Sequence, residues 1–340
     1  MSEYIVVAFD AMGGDNAPSE MVKGAVDAIN SNKEVKVVLV GKEDVINTEL
    51  SNYTYNKEQI SIKNATEVIE TAEHPVMAIK RKKDSSMVVG LHLVKDGEAD
   101  AFVSAGNSGA LLVGGLGIVG RIRGIERSPF GALIPTKTGV ALLVDSGSNV
   151  DCRSSHLVQF AKMGSIYMEK ALGIKNPRVA LVNNGAEEEK GNALVKETMP
   201  LLKECSDINF IGGLEAREIP AGAADVIVCD GFVGNAILKT YEGVASTLLS
   251  VFKEGLTSNL KSKIGAALAL PSLKNKLKAF DATQYGGAPL LGLKGLVVKT
   301  HGSAKAGEVK NTIFQCATFK EQRINEHIRE NIVIENKKED

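Results

Sequence analysis

The chain has 340 residues, enough for one large domain or two modest ones at about one domain per 150 residues. Forty Lys plus Arg against 41 Asp plus Glu leave a formal charge of −1, and 24% charged with 44% hydrophobic residues is an ordinary globular balance; this argues against a general nucleic-acid binder, wholesale disorder or a membrane-spanning bundle, and for a soluble protein. Cys152, Cys205, Cys229 and Cys316 lie far apart, with no CxxC and no Cys/His cluster at zinc spacing, so neither a disulfide framework nor a metal site is expected and a reducing cytosol fits.

The opening MSEYIVVAFD has an acidic residue and a strand-like run where a secretory signal would have a basic segment and an apolar core, so no such signal is expected. Runs rich in Val and Ile predict buried strands over residues 4–10, 35–41, 99–104, 140–145, 178–183, 225–229 and 296–300. Helices are expected between them, over 18–30 with Pro18 in the first turn, over 156–172 and over 190–205. The alternation is that of a mostly parallel, doubly wound sheet in a three-layer α/β/α sandwich, predicted as a single α/β domain over 1–330. In such folds ligands collect at the carboxyl ends of strands. The longest uncharged stretch, 106–120, is Gly-rich and shorter than the roughly 20 apolar residues of a bilayer-spanning helix.

Residues 244–280 break the alternation and read as an inserted amphipathic helical hairpin: helix, turn and two further helices, with Pro271 as punctuation. Leu256, Leu260, Ile264 and Leu268 recur every fourth residue, Leu273, Leu277 and Phe280 continue the stripe, and lysines including Lys261 and Lys263 flank it. Such an arm packs on its own core or a second subunit, or meets a membrane or an acidic protein. A charged tail is expected over 331–340, with its last residues, 335–340, frayed.

Five loops after strands carry the residue types of a chemical site. The first, DAMGGD at 10–15, combines Asp10, Gly13, Gly14 and Asp15 ahead of a helix, and suits either an anion site or a tight turn with Asp15 or Asn16 as cap. The second, with Ser104, Gly106, Asn107, Ser108 and Gly109, gathers hydroxyl, amide and glycine groups into a helix start and is the best phosphate cradle. Lys190 stands among Glu187, Glu188 and Glu189 and reads as a neutraliser of ligand charge or a plain surface lysine. Asp230, Gly234 and Asn235 follow another strand: Asn235 has the type of an oxyanion donor, and Asp230 that of a base or a cap. His301, with Gly302 and Ser303, is a candidate acid or base, although a lone histidine is more often structural. By contrast, Gly115-Leu-Gly117-Ile-Val-Gly120 matches GxGxxG without the strand, helix and distal acid of a dinucleotide site, and its glycines suit helix packing. No HExxH, GxSxG or GxxxxGK[ST] occurs, and no cysteine sits in an activating motif, so no covalent enzyme nucleophile is signalled.

Taken in order, DAMGGD (10–15), SAGNSGA (104–110), LVQFAKMG (157–164), EEEKGN (187–192), ADVIVCDGFVGN (224–235), LKTYEG (238–243), YGGAPLLGLKG (285–295) and HGSA (301–304) span nearly the whole chain. Together they resemble the acyl-ACP:phosphate acyltransferases of bacterial phospholipid synthesis, the PlsX type. Departures are mild: Ser108 and Val233 stand where the family usually has Thr, Ala304 for Ser, and the run RSPF at 127–130 for an Arg-Pro-Ala-Leu-like one.

The resemblance implies a Rossmann-like fold of the isocitrate/isopropylmalate dehydrogenase-like kind. It implies transfer of a long fatty acyl chain from acyl carrier protein to inorganic phosphate, by direct attack on the thioester and without cofactor or metal. It further implies a cytoplasmic homodimer in peripheral contact with the inner face of the cell membrane, supplying a membrane glycerol-3-phosphate acyltransferase. Two other enzymes remain open on the residues, a CoA-dependent phosphate acyltransferase and a nicotinamide-dependent decarboxylating dehydrogenase, as does a non-enzymatic scaffold for lipid synthesis.

Overall fold

The computed structural model describes residues 4–185, 187, 189–278 and 282–333; the predicted tail beyond 333 and the stripe's Phe280 lie outside them. In chain order the strands are β1 (Ile5–Asp10), β2 (Val35–Gly41), β3 (Ile60–Asn64), β4 (Ala101–Ser104), β5 (Gly131–Thr136), β6 (Gly139–Val144), β7 (Arg178–Asn183), β8 (Asn209–Glu215), β9 (Val226–Val228), β10 (Ala288–Pro289) and β11 (Leu296–Lys299). The α-helices are α1 (Ser19–Ser31), α2 (Glu43–Leu50), α3 (Pro75–Arg81), α4 (Ser86–Lys95), α5 (Ser108–Gly114), α6 (Ser154–Leu172), α7 (Ala193–Glu204), α8 (Gly231–Thr257), α9 (Leu260–Lys278), α10 (Ala306–Glu321) and α11 (Ile324–Val333). These elements form two compact units, one within Met1–Ala132, Lys162–Asn176 and Thr283–Asp340, the other within Leu133–Ala161 and Pro177–Ala282.

The first unit holds a sheet ordered β10-β11-β4-β1-β2-β3, parallel except for β10. One face, with Ala8, Val40, Phe102 and Val297, packs on Met87, Val88 and Leu91 of α4 and Leu111 of α5. The alternate positions Val7, Phe9, Val37, Leu39 and Val103 are equally buried, and α1 and α10 lie against this sheet and each other. Burial on both faces is why β1 and β2 read as near-continuous apolar runs. The second unit holds a sheet ordered β5-β6-β9-β7-β8, in which β6, β9, β7 and β8 are parallel. There Leu143, Ala180, Leu214 and Ile227 pack with Val233, Ile237 and Tyr241 of α8.

Mixed α/β architecture with mostly parallel sheets is what the alternation predicts. Several elements depart from the expected boundaries. Helix α7 starts at Ala193, because the Asn192 side chain accepts from Val195 N at 2.9 Å and caps it there; Lys190 therefore belongs to the preceding loop. Helix α8 is continuous from Gly231 into the predicted arm, and Pro271 lies inside α9 instead of dividing two helices. Proline removes one backbone bond at about 3 kcal/mol, a cost this helix sustains without ending. Helix α4, SMVVGLHLVK, has the β-branched look of a strand, yet Ser85 caps it by accepting from Val88 N. The decoy glycine motif forms a π-helical turn, Gly115–Val119, that continues α5.

Candidate active site

In the first unit three loops leave the carboxyl ends of the adjacent parallel strands β11, β4 and β1 and are tied to one another. Asp10, ending β1, is buried, and its carboxylate accepts from Ser104 Oγ at 2.7 Å and Met12 N at 3.1 Å. Burial pushes its pKa up, and the Ser86 and Ser104 hydroxyls with the Met12 and Gly13 N–H groups offset part of that rise. Ser104 Oγ in turn accepts from Gly106 N at 3.0 Å, joining the β1 and β4 loops through one hydroxyl. A Cβ on Gly13 would lie 2.5 Å from Asp10 Oδ2 and 2.9 Å from Gly106 N, and Gly14 has φ +99° with Gly302 O 3.0 Å from where its Cβ would be. Both glycines are therefore required for the loops to approach.

The third loop closes onto the first. Asp15 N donates to Gly302 O at 2.8 Å, and Asn16 Nδ2 donates to the carbonyls of Ser303 and Ala304. The cap expected at Asp15 or Asn16 is not formed: no side chain caps α1, and the Asn16 amide is spent on the β11 loop instead. His301 is exposed, with Nδ1 2.7 Å from Ser303 Oγ and accepting from Ser303 N at 3.2 Å, and its backbone N–H donates to Glu308. Lys299 Nζ donates to Ala105 O at 3.1 Å and to Thr300 O, a further tie between the β4 and β11 loops.

The members of the expected cradle are used in different ways. Asn107 donates to the carbonyls of Thr71 and Glu73 at 3.0 Å each, while its oxygen caps α5 by accepting from Ala110 N. Its amide thus anchors the loop. Gly109 sits where a Cβ would be 2.6 Å from Pro75 Cγ, so it serves the contact between α3 and α5. Ser108 is exposed on the first turn of α5, where backbone N–H groups have no intrahelical acceptor.

In the second unit the organising group is Asp145, which sequence reasoning left as a strand end. Its buried carboxylate accepts from Gly147 N and Ser148 N at 3.0 Å, Ser148 Oγ at 2.8 Å, Asn149 N at 2.7 Å and Asn149 Nδ2 at 2.8 Å. The run Asp145-Ser-Gly-Ser-Asn149 has the same small, polar signature as the other loops, and that signal could have found it. Gly231 N donates to Asn149 O at 2.7 Å, and a Cβ on Gly234 would fall 1.8 Å from Asp145 O, so the start of α8 lies directly on this loop. Asp230 caps α8, accepting from Val233 N at 2.9 Å. Asn235 is exposed beside Gly147. Lys190 Nζ pairs with Glu187 Oε2 at 2.7 Å; that carboxylate holds the ammonium pKa up and keeps it cationic.

Leu260, Ile264 and Leu268 on the arm are 74%, 57% and 80% exposed, so these three do not pack on the chain's own core. Lys261 and Lys263 are exposed beside them, and Leu256 is half-buried. Among the described residues no helix is long and apolar enough to cross a membrane, and no cluster of three or more His, Cys, Asp or Glu could hold a metal ion.

The fatty acid synthesis protein family matches residues 5–327. A phosphate acyltransferase of Alkaliphilus oremlandii is 52% identical over 326 residues, 96% of this chain and 97% of the relative. Another, of Clostridium acetobutylicum, is 49% identical over 320 residues, 94% of this chain and 96% of the relative. Among solved structures, the EutD phosphotransacetylase from Staphylococcus aureus matches with a TM-score of 0.60 over 93% of this chain and 94% of its own, at 17% identity, a likeness of fold.

Proposed function

The chain belongs to the fatty acid synthesis protein family, and from that membership we propose that it is a phosphate acyltransferase transferring a long-chain fatty acyl group from acyl carrier protein to inorganic phosphate. A phosphate oxygen attacks the thioester carbonyl carbon, the C–O bond forms as the C–S bond breaks, and the thiolate leaves acyl phosphate behind. Such a reaction needs an anion site, a cation, an oxyanion donor and orientation, and no enzyme nucleophile.

The observation that carries this reading is the set of loops on β1, β4 and β11, tied by Ser104, Gly106, Asp15 and Gly302 into one rigid surface of glycine and small polar groups. In this reading Gly14, Ser108 and Gly302 bring backbone N–H groups to phosphate, while the N–H groups of Gly13 and Gly106, bonded to Asp10 and Ser104, hold the loops in place behind them. Ser303 orients His301 as acid or base. Lys190 neutralises charge by exchanging Glu187 for the anion, and Asn235 donates to the oxyanion, with Asp230 and Gly234 setting the helix start that carries it. The exposed stripe Leu260, Ile264 and Leu268, with Leu256, Lys261 and Lys263, suits an acidic carrier protein or an anionic membrane. The reading makes the protein a cytoplasmic homodimer at the inner face of the membrane, passing product to a glycerol-3-phosphate acyltransferase there.

The test incubates the purified chain with phosphate and either palmitoyl-ACP or palmitoyl-CoA and traps acyl phosphate as its hydroxamate. Product from the ACP thioester alone supports the proposal. Product from the CoA thioester alone moves the donor to CoA, and product from neither rejects the activity.

A further inference from the structure

The second unit contains a cavity of about 320 Å³ at the carboxyl ends of β7 and β9, within the range of sites for small ligands. Its walls include Leu157 of α6, Leu181 of β7, Leu194 and Val195 of α7 and Val233 of α8. Several of the polar groups bordering it are already engaged. Asn192 and Asp230 each spend a side-chain oxygen capping α7 or α8, and Asn183 Oδ1 accepts from Asn184 N at 2.8 Å. Cys229, also in the wall, is buried, and desolvation together with the Asp145 and Asp230 carboxylates pushes its thiol well up, so it stays neutral and unreactive toward a thioester. An entering molecule therefore meets this cavity mainly through apolar surface, the property that favours hydrocarbon over an anion or a nucleotide.

We infer that this cavity receives the hydrocarbon tail of the acyl donor, and that Leu194, Val195 and Val233 set which chain lengths are accepted. The inference rests on the acyltransferase reading above and adds to it a seat for the chain. Val195 and Leu194 lie in the first turn of α7, whose cap is made by Asn192 through backbone N–H. Their side chains can therefore be enlarged without removing the group that starts the helix.

The experiment uses two variants of the full chain, each checked for native circular dichroism. In Val195→Phe, kcat/KM is measured for 16-carbon and 4-carbon acyl donors. Excluding about two methylenes predicts that the ratio of long to short falls roughly tenfold at the transfer free energy of a buried CH₂. A ratio within twofold of wild type in the folded variant overturns the inference. The chain contains no tryptophan, so Leu194→Trp supplies a single indole in the cavity wall, excited selectively over tyrosine and titrated with a 16-carbon fatty acid carrying a nitroxide quencher on its chain. Saturable quenching supports the inference and its absence overturns it. If wild type makes acyl phosphate from no donor, the acyltransferase reading fails on its own, and the quenching still decides whether the cavity holds a chain.

Discussion

Replacing Ser104 by Ala removes the hydroxyl that donates to Asp10 at 2.7 Å and accepts from Gly106 N at 3.0 Å, both in buried surroundings. A bond to a charged group contributes about 1.5–3 kcal/mol and a neutral one about 0.5–1.5, so the loss is about 2–4 kcal/mol. At a urea dependence of about 3 kcal/mol per molar, the unfolding midpoint followed by circular dichroism falls by roughly 1 M. The effect depends on pH with a definite sign. Burial holds the folded pKa of Asp10 above its ordinary 3.8, so its contribution to stability is fully present below that value and is lost as pH rises through the folded pKa. Removing a hydroxyl that lowers this pKa enlarges the loss, and the gap between variant and wild type is wider at pH 7 than at pH 4. Asp10→Asn and the double variant close the cycle, with a coupling of about 1–2 kcal/mol expected between neighbours sharing one bond. A midpoint shift under about 0.3 M, or an equal shift at both pH values, refutes the assignment of this hydroxyl as the link between the loops.

In the hydroxamate assay, Lys190→Ala and Asn235→Ala each lower turnover by about 10²-fold, the scale of one preorganised donor; wild-type turnover in the folded variants rejects their roles. Burial alone would raise the Asp225 carboxyl, but the Arg178 guanidinium, 2.9 Å away, outweighs it and holds the pKa below 3.8. Its contribution is therefore present above pH 3.8 and lost as pH falls through the folded value, so Asp225→Asn lowers the melting temperature at pH 7 and the difference narrows toward pH 3. Gly234→Ala places a methyl where Asp145 O is 1.8 Å away and costs about 3 kcal/mol or more by overpacking; a melting temperature equal to wild type counts against that close approach. Leu260→Glu lowers co-sedimentation with anionic vesicles if the exposed stripe meets a membrane, and unchanged binding with unchanged oligomeric state assigns the stripe another partner.

The loops of the candidate site were visible in the sequence because each combines glycine with small polar residues directly after an apolar run. What each side chain does was not. Asn107 has the type of an anion donor, but its amide is held by the carbonyls of residues 71 and 73, a long-range pairing that no local pattern encodes. Asp145 went unnoticed although its loop has the same composition, since its strand end looked like an ordinary stop. Strands β3 and β8, with exposed or half-buried positions, lack the apolar runs that betray central strands.

Local periodicity determined that the chain alternates parallel strands with helices, because strands buried on both faces must be continuously apolar. It also determined where the loops fall and, through ordered motifs along nearly the whole length, which family the chain resembles. Only the tertiary structure decided that the strands divide between two sheets and that β11 lies beside β4 and β4 beside β1, bringing His301, Ser104 and Asp10 to one edge. Strand order is set by packing and hydrogen bonding between segments that lie up to about 300 residues apart, and the spacing of residues within any one segment carries no record of its neighbours.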